Sequence, residues 1–546
     1  EKDGKKLPVE VSYKLIGKNR YSFVVAKADP SLPIVIDPIL QSTYLGGGGG
    51  DEANAVVIHP TTGEVYVAGY TYSTNFPGTA GGASPTISRF LDTGDAFVAR
   101  LNKELTQIIQ STYLGGRFDD AALALAIHPK TGEVYVAGWT TSDKFPKTDG
   151  GAQARAGGDW DVFVARLNKD LTQIIQSTYL GGSGKEGVRD ITIHPTTGEV
   201  YVAGRTTSYN FPKTTGGAQG RNGGNWDAFV TRLNSDLTQI IQSTYLGGSG
   251  EETASALAIH PTTGEVYVAG YTYSANFPKT AGGAHVSISG RSDAFVARLN
   301  KELTRIIQST YLGGSSSDWA YSLAIHPTTG EVYVAGYTDS DNFPKTDGGA
   351  HVSISGNSDA FVARLNKELT QIIQSTYLGG GYQDYARALT IHPTTGEVYV
   401  AGITYSDDFP KTDGGAQERS GGLFDAFVAR LNSDLTQILQ STYLGGRGTD
   451  RANALAIHPQ TGEVYVAGVT ESGDFPKTTG GAQASKSRGS DAFVAGLTAD
   501  LAAGRSSGGG GVSPMTASAS YTTNFWSILL LLSVPAFALA RRIRRK

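Results

Sequence analysis

A unit of about 66 residues recurs seven times along this chain, and that repetition constrains the fold more than any other feature. Its His-Pro pair falls at His59, His128, His194, His260, His326, His392 and His458, spaced by 69 residues once and by 66 thereafter. In the copy between Gly248 and Gly314 it reads ALAIHPTTGEVYVAGYT, a Gly-rich loop, DAFVARLN and ELTRIIQSTYLGG. Each copy holds four short runs rich in valine, isoleucine, tyrosine, phenylalanine and threonine, separated by turn signals such as Pro-Thr-Thr-Gly and Asn-Lys-Glu. Four antiparallel strands per copy, repeated seven times, predict an all-β, closed seven-bladed β-propeller.

The phase of the two ends separates a ring from an open solenoid. QSTYLGG occurs seven times, starting at Gln41, Gln110, Gln176, Gln242, Gln308, Gln374 and Gln440. The first copy precedes the first ALAIHP-type strand, and none follows the last DAFVAGL near Asp491. A circle needs that offset, since the strand near Leu45 would complete the last blade and hide two sheet edges.

These units resemble the SBBP repeats, a bacterial and archaeal β-propeller family marked by STYLGG, the VYVAG strand and the FVARL strand. The resemblance spans roughly residues 37–503. It implies a propeller fold and a surface or secreted setting, and it implies no activity.

The rest of the chain divides by composition. Residues 1–36 read as a short β-rich segment with a hairpin over residues 9–16 and 21–27, the remnant of a larger upstream region of the kind that precedes SBBP repeats. The chain begins at Glu1 without methionine, which suggests a processed or truncated product that has lost an export signal. Residues 504–520 are rich in Gly, Ser, Thr and Ala and read as a flexible tether. Residues 521–540 are apolar enough for one transmembrane helix, and the basic run 541–546 places the C-terminus in the cytoplasm. Such a tail resembles the C-terminal sorting tails of surface proteins, although no Pro-Glu-Pro motif precedes it. The expected location is therefore the cell surface.

Composition narrows the chemistry. There is no cysteine, so disulfides, thiolate metal sites and thiol catalysis are excluded. With 46 basic and 50 acidic residues, no basic field points to nucleic acid. The chain carries no nucleophile–base set, phosphate loop or metal-ligand motif. Residues His285 and His351 occupy equivalent loops and are themselves repeats.

Comparison of the seven copies supplies the candidate sites. An acidic residue stands four positions after every GG pair: Asp51, Asp120, Glu186, Glu252, Asp318, Asp384 and Asp450. Opening the innermost strand, these would ring one mouth of the channel, as an acidic funnel or a calcium site, or would cap backbone N–H groups of the turns. One or two carboxylates per loop favour capping, and calcium is the single cofactor they suggest. The histidines fit a turn-forming role, and the FVARL arginines, such as Arg100 and Arg166, are expected to pair with Glu64 and Glu133. Variation concentrates after GG, at the end of the VYVAG strand and in the loop beyond it, positions that share one face of a propeller. That face would carry Tyr70, Trp139, Arg205, Tyr271 and Tyr337 from second strands, and Trp319, Tyr321, Tyr385 and Arg387 from first strands. Exposed aromatics and arginines suit recognition. The expectation is a non-catalytic surface protein that binds a glycan or a protein. Self-association as a structural building block is the alternative, followed by a polysaccharide-active enzyme using the ring of carboxylates.

Overall fold

In a computed structural model of the chain, the structure describes residues 10–17, 20–26, 35–36, 39–88, 93–502 and 504–505. Two compact units are present. One comprises Glu1–Ile36 with Gly504–Lys546; its described backbone is a hairpin of Glu10–Gly17 with Arg20–Ala26, and a short pairing of Val35–Ile36 with Gly504–Arg505. The other, Asp37–Ala503, is the propeller.

Seven four-stranded antiparallel sheets build the ring, and in six of them the strands run from inner to outer in chain order. The fourth blade consists of Glu252–Ile259, Val266–Thr272, Asp293–Leu299 and Ile306–Leu312. Its middle strands are buried along nearly their whole length, not on alternate residues. Both faces of a blade lie against neighbouring blades, so VYVAG and DAFV read as continuous small or apolar runs. The core is accordingly a series of inter-blade layers, such as Tyr66 and Ala68 of the first blade packed with Val134 and Phe163 of the second.

The last blade is completed from the beginning of the propeller: Asp491–Leu497 pairs antiparallel with Ile39–Leu45. Tyr44 takes the place its equivalents hold elsewhere, donating to Ser472 O at 2.8 Å, as Tyr311 donates to Ser274 O at 2.7 Å. The contacts between the seventh and first blades repeat those between other blades. The Tyr465 hydroxyl donates to Lys103 O at 2.7 Å, matching Tyr267 to Lys367 O at the same distance.

Among the described residues there is no helix, and none is long and apolar enough to cross a membrane. The transmembrane helix expected at residues 521–540 lies outside the described residues.

Candidate functional site

The GG-acid segment folds into a capped turn. Asp318 Oδ2 accepts Gly314 N–H at 2.8 Å and the Ser340 hydroxyl at 3.0 Å, and every one of the seven acids accepts the second glycine's N–H in this way. All seven side chains are at most 2% exposed. The acidic funnel expected at the mouth is therefore not formed: Asp51, Asp120, Glu186, Glu252, Asp318, Asp384 and Asp450 are sealed beneath the turns they cap. Among the described residues no group of three or more His, Asp or Glu side chains is placed to hold a metal ion.

Each of these acids faces a second buried carboxylate that sequence reading passed over, the aspartate opening DAFVARL. At Gly379 an added Cβ would stand 2.7 Å from Asp359 Cγ and 2.8 Å from Asp384 Oδ2. The first glycine of GG is thus required because two carboxylates occupy the space beside it. Burial, reinforced by the charge of Asp359, pushes Asp384 up to about 7, and burial also raises Asp359.

The histidines are structural. His59 Nδ1 accepts the N–H groups of Thr61 and Thr62 at 3.3 Å, and its Nε2 faces Gly132 of the next blade. The FVARL arginines pair as expected: Arg100 Nε and Nη2 grip Glu64 at 3.1 and 2.9 Å, and Arg166 grips Glu133 at 3.1 and 3.0 Å.

The variable positions converge on the axis of the ring. Every inner strand carries a β-bulge at its fourth residue; in the first blade the register shifts between Ala53 and Ala55, leaving Asn54 extra. The seven bulge residues are Asn54, Leu123, Arg189, Ser255, Tyr321, Arg387 and Asn453, and all of them line one cavity of about 370 Å³. Glu52, Tyr271 and Trp319 complete its wall. Identical backbone geometry thus aims seven mostly different side chains at one space. Several also stitch the inner strands together: Asn54 Nδ2 donates to Ala122 O at 2.9 Å and Asn453 Nδ2 to Ala53 O at 3.0 Å.

Of the residues expected on the recognition face, the structure brings Tyr271, Trp319, Tyr321 and Arg387 into this cavity. The aromatics are half-buried, because they pack on one another across blades. Trp319 stacks on Tyr271 at 4.1 Å and 11°, Tyr337 meets Tyr385 at 5.1 Å, and Arg387 sits 5.0 Å above the Tyr321 ring. Tyr70, Trp139 and Arg205 stand apart: Tyr70 donates to Glu52 at 2.8 Å, Trp139 stacks on Trp160, and Arg205 lies over Trp226 at 4.4 Å. Burial pushes the Tyr321 hydroxyl up to about 12, so it stays protonated and can donate. Sequence reading overlooked Glu52, Asn54, Leu123, Arg189, Ser255 and Asn453. The signal was available, since five of them occupy the same repeat column as Tyr321 and Arg387.

A larger cavity of about 500 Å³ lies at the fifth and sixth blades against Ala350, His351, Pro410, Lys411 and Ile438. Its lining belongs largely to turns and strands that recur with little change in the other copies, so we place the candidate site at the axis.

The SBBP family model, described as a beta-propeller repeat, matches residues 309–344. The regulatory protein FlaEY of Caulobacter vibrioides is 24% identical over 342 residues, covering 58% of this chain and 32% of that protein. The chain therefore spans about a third of the length of that curated relative. A crystal structure of Chaetomium thermophilum Sqt1 aligns with 85% of this chain and 98% of its own at 10% identity, with a TM-score of 0.41. The SBBP match runs from the outer strand of the fourth blade through the first two strands of the fifth, a stretch that recurs around the whole ring. The chain folds as a seven-bladed β-propeller whose residues 309–344 match the SBBP beta-propeller repeat.

Proposed function

We propose that this protein is a non-catalytic, cell-surface recognition propeller whose axial cavity and surrounding face bind a glycan or a protein. The observation that carries this reading is the contrast between frame and bulge. Turns, caps and ion pairs recur from blade to blade, whereas the bulge column carries Asn, Leu, Arg, Ser, Tyr, Arg and Asn around a single cavity. Concave, largely pre-formed sites with a few convergent polar groups are where ligands bind. The carboxylates that a polysaccharide-active enzyme would draw on are sealed at the blade interfaces, which favours binding over catalysis. In this proposal the apolar residues 521–540 anchor the ring to the membrane, with the basic run 541–546 inside. A regulatory role, of the kind named for the Caulobacter relative, would act through the same face.

The test is binding of the full chain to a broad array of glycans and surface proteins. A hit that disappears with Trp319→Ala, in a variant that melts like the wild type, supports the axial site. A blank array from the folded ring, together with ordered self-assembly in scattering, would replace recognition by a structural building-block role.

A further inference from the structure

Resting on that reading, we infer that the axial cavity takes an acidic saccharide, with the ligand's anionic group held between Arg189 and Arg387. Both arginines sit at bulge positions, in the third and sixth blades, and both line the cavity. Among the described residues no carboxylate pairs with either, whereas frame arginines such as Arg364 bind Glu331 through two nitrogens at 3.0 Å. Both side chains are exposed to the space along the axis, and the enclosing blades, together with the positive charges of Arg205 and Arg387, hold the Arg189 guanidinium below the usual arginine range. Two guanidiniums facing one space without an acid between them form a site whose missing partner is an anion.

The cavity's one acid does not fill that role. Glu52 accepts from the Tyr70 hydroxyl at 2.8 Å and from Asn453 Nδ2 at 2.9 Å. The remaining wall offers the groups a polyol needs: the Ser255, Tyr271 and Tyr321 hydroxyls and the amide oxygens of Asn54 and Asn453. A volume of about 370 Å³ admits one or two sugar rings. Single-stranded nucleic acid fits less well. The chain as a whole has no positive excess, and the rings that could stack a base are covered, Tyr271 by Trp319 and Tyr321 by Arg387.

The experiment is calorimetric titration of the full chain with oligogalacturonates of two to four residues, with sulfated oligosaccharides, with neutral galacto-oligosaccharides of the same length, and with a tri-glutamate peptide. The expected result is binding of acidic saccharides, carboxylated or sulfated, that weakens as salt rises and falls at least tenfold in Arg189→Gln and in Arg387→Gln. Arg387→Lys should retain part of the affinity. Neutral and acidic saccharides bound alike, or Gln variants that bind as the wild type does, overturn the anion assignment and leave saccharide recognition standing. Tri-glutamate bound as tightly as the saccharides overturns the ligand class in favour of an acidic peptide. No acidic saccharide bound by a folded ring overturns the inference, and the array experiment decides separately whether recognition itself survives.

Discussion

Replacing Asp384 by asparagine should stabilise the ring in alkaline solution and leave it nearly unchanged in acid. Asp384 is fully buried beside Asp359, and its carboxyl is pushed up to about 7 from an unfolded value near 3.8. A folded value raised in this way means that stability is fully present below the unfolded value and is lost as pH rises through the folded one. Between pH 5 and pH 8 one such site forfeits about 3 kcal/mol, taking 1.36 kcal/mol per pH unit over the interval from pH 5 to the folded value. An asparagine keeps the acceptor for Gly380 N–H and Ser406, offers an N–H₂ toward Asp359, and cannot ionise. For a unit spanning Asp37–Ala503, the unfolding entropy is about 1 kcal/mol/K, so this loss is a shift of about 3 °C. The turn histidines pull the other way, because burial holds His59, His128, His260 and His392 below their usual value and weakens the fold in acid. The informative quantity is therefore the difference in Tm between Asp384→Asn and wild type, measured by calorimetry at both pH values. It should grow by about 3 °C in favour of the variant at pH 8. A difference that does not change with pH, or that favours the wild type at pH 8, refutes the paired-carboxylate account.

Three further outcomes follow from the repeat. The Ser309 hydroxyl is buried without a hydrogen-bond partner among the described residues, whereas Ser243 shares a 2.9 Å bond with Thr231; Ser309→Ala should be neutral or stabilising, and Ser243→Ala should cost about 1 kcal/mol in urea titration. Gly132 has φ +72 and faces His59 Nε2, 2.8 Å from where a Cβ would lie, so Gly132→Ala should cost about 2–4 kcal/mol. His59→Ala should recover only the steric part, seen as non-additivity in the double variant. Tyr465→Phe and Tyr267→Phe should each cost about 1 kcal/mol, because the seventh and first blades meet as the others do; a neutral Tyr465→Phe beside a costly Tyr267→Phe would mean that the ring is open in solution.

Much of this architecture was legible in the sequence, for reasons that can be named. The copy number gave the blades, and the offset of QSTYLGG gave the closure between Ile39–Leu45 and Asp491–Leu497. The Arg–Glu pairs could be matched because both partners recur with every copy. The bulge could not be read from ALAIH, since period-two alternation does not register one extra residue, and so Arg189 escaped notice beside Arg387. The burial of Asp359, Asp384 and their equivalents was hidden for another reason. Their partners come from adjacent blades, and a single copy does not show which carboxylates end up face to face. The half-burial of Trp319 has the same origin, its covering ring being Tyr271 of the preceding blade.

The borrowed strand that completes the seventh blade also sets a schedule for biogenesis. Tyr44 and Ser472 are bonded across 428 positions of chain. At about 5–20 residues per second, the ribosome delivers the second roughly 20–90 seconds after the first. Through that interval the segment Ile39–Leu45 is a solitary strand with unpaired edges, while up to six blades have already formed beside it. Joining the ends then costs about 5 kcal/mol in loop-closure entropy if the intervening chain is still a coil, and far less once the stacked blades hold the ends near each other. The order of assembly is thereby biased toward blades first and circle last. Until the circle closes, the nascent arc presents two exposed sheet edges, which a neighbouring arc of nearly identical sequence could occupy in place of its own strand.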